Sequence, residues 1–418
     1  MKVTQELRSF YTGLSKDLKV IFARSSIANF VFNLNPYNRI VIVAVGATST
    51  QLGVLTSLSL GLTAVAAMLT GWLSDRLNRK HMFLLGAFIG VLVPLTYFTS
   101  GGLYWLVPAF VFAGFAEGII SPAWTAMYAN SIRNTQRGTV YGLANVFILT
   151  PMLFAGLVGG QIVSLSGGLT VPGIRPVYLI QAILLVSAWL IVWRFLGDRK
   201  PTQPKRKLNL RTMAYDYGNV LGRKGVRSWV GMKSLGSLSI GLAGPFWMLY
   251  AAAVHGASAM VIAYMVTARS LTQILASPVA GRLTDSVGRK KMIIGGRIIM
   301  YVAATIFLTL GQIEAFLLVA WILMGLSDAT GVAWQAEEAE LVNHNQRARM
   351  TAMSVAAFNL LAVPASILGG WLWDSVSKVA PFLVMVAVDG LVRMPIIYLY
   401  VPEGKNIQHE AEPDEACI

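Results

Sequence analysis

Apolar residues gather along the chain into twelve runs, most of them near the ~20 residues that an α-helix needs to cross ~30 Å of hydrocarbon. They fall at about Leu18–Val45, Gln51–Leu73, Met82–Thr99, Leu103–Asn130, Val140–Val163 and Pro176–Leu196. A second set follows at about Ser228–Val254, Ala257–Leu283, Met292–Leu310, Ala315–Leu341, Met350–Trp373 and Val379–Val401. Only Ser100-Gly101-Gly102 parts the third run from the fourth, yet their joint length demands two crossings. Hydrocarbon offers no partner to a bare peptide group, so runs of this length must close their hydrogen bonds internally, as helices. The pattern predicts an all-α membrane protein with twelve transmembrane helices. Pro36 is expected to kink the first.

The runs also repeat. An offset of about 210 residues lays Gly71-Trp72-Leu73-Ser74-Asp75 on Gly281-Arg282-Leu283-Thr284-Asp285 and Arg79-Lys80 on Arg289-Lys290. The same offset matches Ala123-Trp124 with Ala333-Trp334, Gln136-Arg137 with Gln346-Arg347, and Gly159-Gly160 with Gly369-Gly370. Six crossings per copy bring both copies into the bilayer from the same side, related by an axis along the membrane normal. The predicted division is an N-terminal six-helix bundle at 1–197, a linker at 198–227, a C-terminal six-helix bundle at 228–402 and a tail at 403–418. The linker mixes Asp198, Arg199, Lys200, Lys205, Arg206 and Lys207 with Pro201 and Pro204, too polar to span and too short for a domain.

One repeated stretch carries a mechanical logic. Gly71-Trp72-Leu73-Ser74-Asp75-Arg76-Leu77-Asn78-Arg79-Lys80 joins the second run to the third. Gly71 permits close helix approach, and Asp75 can accept from a neighbouring helix N-terminus. Asn78 tolerates left-handed backbone in a tight turn, and Arg79 and Lys80 can anchor or pair across an interface. The stretch resembles the signature loop of the major facilitator superfamily, Gly-x-Leu-x-Asp-Arg-x-Gly-Arg-Lys, and the resemblance extends over essentially the whole chain. It recurs from Gly281 to Lys290, with Gly288 in the turn and Ser286 where the family often has Arg. The resemblance implies the fold of that superfamily, two pseudo-two-fold related six-helix bundles around a central cavity, and a conformational latch made by Gly71, Asp75, Arg76 and Arg79 with Gly281, Asp285, Arg289 and Glu340. Drug–proton antiporters of the superfamily tend to carry Gly-Pro-x-x-Gly-Gly in the fifth helix; this chain has Ala155-Gly156-Leu157-Val158-Gly159-Gly160, without the proline.

Composition narrows the class. Of 418 residues 55% are hydrophobic and 13% charged, with mean hydropathy +0.61, against about 25% charged in soluble domains. The net charge of +15 would suggest nucleic acid in a soluble protein. Here the basic residues stand in short loops, where they read as topology signals and attraction to anionic lipid. Arg76, Arg79, Lys80, Arg133, Arg137, Arg282, Arg289, Lys290, Lys291, Arg347 and Arg349 fall on one face; the other offers Arg175 and Lys378. The positive-inside rule then predicts cytoplasmic termini in a multi-pass plasma-membrane protein. The stretch Met1–Lys19 reads as a cytoplasmic leader rather than a cleavable signal. The single cysteine, Cys417, excludes disulfide and Cys-x-x-Cys chemistry.

Ionisable residues inside the runs are the functional candidates, because each costs ~2.5–3.5 kcal/mol or more at the bilayer centre unless it meets protein or water. Arg24, Arg39, Lys233 and Arg297 lie near run ends and are expected to snorkel, with Arg393 at the limit. Arg269 is mid-span, as are Glu117, Asp328 and Asp389. Glu117 and Asp328 are repeat-related, in the fourth and tenth runs, and the resemblance implies that the first, fourth, seventh and tenth helices line the cavity. Two readings stay open for these carboxylates: proton or solute coupling, or a structural role, paired with Arg269 or packed against the other half. Asp389 and Arg393 are spaced four apart and expected to form an internal salt bridge, and Glu340 is expected to pair with Arg289 or a nearby base. Asn29, Asn33 and Tyr37 on the first helix, Gln273 one turn from Arg269, and Asn359 are further cavity candidates. Trp124, Phe246, Trp247, Tyr250 and Trp334 are either cavity wall or ordinary packing.

A transporter accounts for the repeat, the twinned loop and the buried carboxylates together. The four histidines, His81, His255, His344 and His409, lie at run ends, loops or tail, which disfavours a membrane enzyme or metal site, and no Gly-rich phosphate loop with Lys-Ser/Thr is present. The expectation is a secondary active transporter working by alternating access, not an enzyme, with no cofactor and no metal. Its partners are a small-molecule substrate, protons and the lipid bilayer, with no nucleic acid; it is expected to be a monomer. Proton-coupled efflux of a drug-like compound is the leading expectation. Uptake of an organic anion or metabolite, with Arg269 receiving the negative charge, is the alternative.

Overall fold

Prolines decide where two helices break. A computed structural model describes residues 15–73, 78–130, 137–197, 215, 218–219, 221–222, 225–341 and 347–400. Its first helix, α1, runs Lys16–Leu34 and resumes as Asn38–Ala44 after a break that contains Pro36. Its repeat partner, α7, runs Val226–Ala243, tightens into a 3₁₀ turn at Gly244–Phe246 around Pro245, and continues as Trp247–Ala253. A proline in a helix withholds one N–H and pushes on the preceding turn. Both breaks lie toward the same end of the molecule.

The remaining helices are α2 (Ser49–Leu73), α3 (Arg79–Thr99), α4 (Leu106–Asn130), α5 (Arg137–Leu165) and α6 (Val171–Phe195) in the first half. The second half continues with α8 (Ala259–Val287), α9 (Arg289–Leu310), α10 (Glu314–Ala329, then Gly331–Glu340) and α11 (Arg347–Ser375). In α12, Ala380–Ala387 and Met394–Tyr400 flank a π-helical turn at Val388–Arg393. Ten of these are long and apolar enough to cross a membrane among the described residues. Of the two others, α1 is broken and carries Arg24, Asn29 and Asn33, and α5 contributes the shorter apolar stretch Thr150–Leu165. Ser100 and the 3₁₀ turn Leu103–Trp105 divide α3 from α4, as the run lengths required.

The two halves pack by one rule applied twice. A Cβ on Gly159 of α5 would meet the Leu34 carbonyl of α1, and one on Gly369 of α11 would meet the Leu242 carbonyl of α7. Between halves, a Cβ on Gly53 of α2 would meet the Ser366 carbonyl of α11, and one on Gly156 of α5 would meet the Ala263 carbonyl of α8. Each pair maps onto the other within a residue or two of the sequence offset. Without a hydrophobic difference between side chain and lipid, helices associate through close backbone approach of this kind.

Contacts between halves concentrate on one face, the one opposite the start of α1 and the end of α12. Asp374 at the end of α11 accepts from the backbone N–H of Ser49 (3.2 Å) and Thr50 (2.7 Å) and from Thr50 Oγ1 (2.7 Å), capping α2 across the interface. Ser57 Oγ donates to the Val363 carbonyl, and Tyr37 Oη donates to the Ala259 carbonyl at 2.9 Å. This loop face is the sealed one.

The turn between α2 and α3 departs from expectation. Asn78 is extended (φ −61°, ψ 115°) and caps α3, its side chain accepting from Lys80 N at 3.0 Å. The left-handed conformation belongs instead to its repeat partner Gly288, at φ 104°. Asparagine supplies a side-chain acceptor to an orphan helix N–H, and glycine has none to supply; the two positions solve the same turn differently. Lys80 Nζ donates to the Leu196 carbonyl at the end of α6, within its own half.

Candidate functional site

Between the halves lies a cavity of about 1120 Å³, contributed mainly by α1 to α6 and closed at the loop face. Glu117 on α4 and Asp328 on α10 both border it, as do Arg269 and Gln273 of α8 and Asn29 and Asn33 of α1. The polar lining is interleaved with Phe32, Phe110, Met152 and Trp321, the mixed character of sites that hold organic molecules.

The two carboxylates are held differently. Arg269 Nε donates to Asp328 Oδ2 at 2.6 Å, with both side chains partly exposed to the cavity (44% and 31%). Their helices are set by Gly325, whose Cβ would meet the Arg269 carbonyl. In the first half, Gly114 of α4 presses likewise on the Ser59 carbonyl of α2. Ser59 therefore stands where Arg269 stands in the second half, and Glu117 receives no arginine from α2. Its nearest cation is Arg24 on α1, within electrostatic reach and stacked on Trp124 (4.5 Å) and Phe83 (4.7 Å). Glu117 is exposed to the cavity.

The other candidates scatter. The Asn29 and Asn33 amides each donate to the carbonyl four residues back, at 3.0 Å. Tyr37 is fully buried in the loop-face seal, and Asn359 is buried, donating to the Val355 carbonyl at 3.0 Å. Trp247 packs edge-on to Trp321 and Phe382, with Phe246 and Tyr250 in the same aromatic mass at the loop face. Trp124 and Trp334 carry arginines on their rings, Arg24 at 4.5 Å and Arg393 at 4.6 Å. Packing is thus the role of all five aromatic candidates.

Three arginines expected to snorkel stay inside. Arg297 of α9 donates to Asp389 of α12 from Nε and Nη2, both at 2.7 Å. Asp389, fully buried, also accepts from Tyr301 Oη (2.6 Å), Arg393 Nη1 (3.0 Å) and Ser239 Oγ (3.3 Å). The expected Asp389–Arg393 bridge exists within a cluster of three helices. Arg24 is the second correction, held at depth by the rings under it, and Arg39, over the Phe110 ring at 5.7 Å and bordering the cavity, is the third.

A sequence profile described as Major Facilitator Superfamily matches residues 20–237 and 230–415. The chain belongs to this superfamily. It is a transporter family, and the chain is a multi-pass integral membrane protein of twelve helices in two pseudo-two-fold related bundles. Similar curated proteins include "Multidrug resistance protein MdtG" of Citrobacter koseri, 25% identical over 59% of both chains. The Dickeya zeae protein of that name is 24% identical over 70% of both, and "Multi-drug resistance efflux pump PmrA" of Streptococcus pneumoniae is 23% identical over 62% of this chain and 64% of its own. The chain thus spans about three fifths of the length of the first of these relatives. Among solved structures, a point mutant of the nucleoside transporter NupG superposes with TM-score 0.73 at 14% identity, covering 92% of this chain and 99% of that one. A POT family transporter in complex with 5-aminolevulinic acid gives 0.71 at 13% identity, covering 92% and 96%.

Of the superfamily's signature loop, Asp75 and Arg76 lie outside the described residues, as do the side chains of Gly71, Arg79, Asp285 and Glu340. A Cβ on Gly281 would meet open space. Arg289 Nη1 lies 3.7 Å from Glu337 Oε2, a carboxylate 2% exposed one turn before Glu340. Sequence reasoning overlooked Asp374. Its signal was available: Glu314 and Asp374 are the acids of the poorly charged loop face, and Asp374 ends a helix whose Gly369-Gly370 pair marks close packing.

Proposed function

We propose that this chain is a proton-driven exporter of amphipathic, drug-like organic compounds, working by alternating access in the plasma membrane with both termini in the cytoplasm. Bodies 1–197 and 228–402 rock about the central cavity, tied by 198–227, and 403–418 forms a cytoplasmic tail. The transporter acts as a monomer. The loop face is then external and the cavity belongs to an inward-facing state.

The observation that carries the reading is Glu117: a carboxylate open to the cavity, lacking an arginine on the neighbouring α2. A group that must take and release a proton in each cycle needs water on one side and a charge partner that does not lock it. Asp328, bound by Arg269, is the positioning member of the pair. Arg269 has its charge met, which removes the main support for an anion receptor at that residue. The names of the multidrug relatives favour export.

Proteoliposomes with an imposed pH gradient and a fluorescent fluoroquinolone test this. Glu117→Gln is expected to lose gradient-driven accumulation while retaining solute exchange across the membrane. Full gradient-driven accumulation in Glu117→Gln removes the proposal.

A further inference from the structure

Two helical turns from Glu117, toward the sealed end of the cavity, stands a second polar group that the transport cycle above does not use. Phe110 and Glu117 are seven residues apart on α4, or about 10 Å, and Phe110 carries the guanidinium of Arg39 over its ring at 5.7 Å. Arg39 opens the second piece of α1, just past the Pro36 break. Its charge lies within reach of the Tyr97 and Tyr178 hydroxyls, and these two rings stack at 4.9 Å, 6° from parallel. All four residues border the cavity. Among the described residues no carboxylate pairs with Arg39, in contrast to Arg269, Arg289, Arg297 and Arg393.

The surroundings are short of partners too. The Tyr178 hydroxyl, 1% exposed, lies within reach of the Asn35 amide, while Thr56 Oγ1 on α2, 7% exposed, has no hydrogen bond. Asn38 Oδ1, beside Arg39, is likewise without one. Each borders the cavity. The neighbouring amides are by contrast spent on structure: Asn35 Nδ2 donates to Gln181 Oε1 (3.2 Å), and Gln181 Nε2 to the Val31 carbonyl (2.8 Å). A buried polar atom left unpaired costs about 1–3 kcal/mol and a charged one more, so two around one cation mark a place for something else. The second half shows what a filled version looks like. There Pro245 matches Pro36, Met248 takes the place of Arg39, Phe307 that of Tyr97, and Trp247, Trp321 and Phe382 pack ring against ring where the first half has a cation.

We infer that Arg39, with Tyr178 and the stacked Tyr97, forms a head-group subsite that binds the acidic group of an amphipathic organic acid or zwitterion, such as a carboxylate or phosphonate. The guanidinium supplies charge-assisted donors to the anion, the tyrosine hydroxyl a further donor, and the stacked rings a flat apolar wall for the adjoining part of the solute. This deepens the export reading and rests on it for the direction of transport, while binding itself requires no gradient.

The test uses the full chain in detergent without a pH gradient, with 4-phenylbutyrate, its neutral amide and 4-phenylbutylamine as matched probes in calorimetric titrations. The acid is expected to bind about tenfold or more tighter than the amide, the value of one charge-assisted contact, and the amine weakest. Arg39→Gln should bring the acid down to the amide's affinity, and Arg39→Lys should restore most of the preference. Equal binding of acid and amide, or preference for the amine, overturns the subsite while leaving Glu117-dependent transport untouched. Displacement of the acid by micellar phosphatidylglycerol at lower concentration than by benzoate assigns the pocket to a lipid head group and overturns it too. If the acid preference holds but gradient-driven transport fails, the subsite stands and the export reading falls.

Discussion

Glu117 and Asp328 occupy matching places on α4 and α10, yet among the described residues one faces the cavity without an ion pair and the other is held at 2.6 Å by Arg269. The difference traces to one substitution between the repeats: Ser59 on α2 where α8 carries Arg269. The pattern extends upward. Among the described residues the first half keeps Arg39 without a carboxylate beside tyrosines, and the second packs Trp247, Phe307, Trp321 and Phe382 together at the matching place. Lower on the second half, Asp389 satisfies both Arg297 and Arg393. Duplication has thus given one half with open polar chemistry and one half in which charges close on each other. Under the proposed function that would be a division of labour, the first half meeting solute and proton and the second supplying a stiff body against which it moves.

The comparison breaks most severely at Asp389. Asp389→Ala leaves two arginines among apolar helices and is expected to cost about 3–5 kcal/mol, as for other broken buried pairs. Thermal unfolding in detergent measures it, and a loss below about 1 kcal/mol would remove the stiff-body reading. Next comes a crossover between the paired carboxylates. Glu117→Gln should reduce gradient-driven flux by about tenfold or more, a proton-transfer role being worth at least that, with stability unchanged within about 0.5 kcal/mol. Asp328→Asn should cost about 1 kcal/mol of stability, the limit for a pair this exposed, and leave flux dependent on the gradient. Identical phenotypes for the two would erase the distinction.

The seal gives a smaller effect. Asp374→Asn weakens the cap on α2, worth about 0.5–2 kcal/mol, and should favour the state open at the loop face. A cysteine at Ser57, buried here against Val363, would then react faster with a membrane-impermeant maleimide in the Asp374→Asn background. Unchanged reactivity would show that glycine packing alone holds the seal. Smallest is Asn78→Gly, which imitates Gly288: loss of the Lys80 cap should cost a few tenths of a kcal/mol and leave flux near that of the parent.

Twelve crossings, the helix class, the repeat and the break at Pro36 were all legible in the sequence, because each depends on local chemistry. Hydrocarbon forces helices of fixed length, proline withholds its N–H wherever it stands, and duplicated residues align without knowing their neighbours. Partners were not legible. Arg297 lay near a run end like any snorkelling cation, and only the approach of α9 to α12 brought it onto Asp389. Arg289 lies 3.7 Å from Glu337 because the pitch of α10, broken at Thr330, turns that carboxylate inward. Tyr37 and Asn33 share a face in a regular helix, but the Pro36 break sends Tyr37 to the seal and leaves Asn33 on the cavity. Sequence alone set which residues could carry charge into the bilayer; the packing of helices distant along the chain decided which charges were met by a carboxylate and which, like Arg39, were left facing the cavity. The cost of an unpaired charge depends on everything within a few ångströms, and no linear pattern contains that neighbourhood.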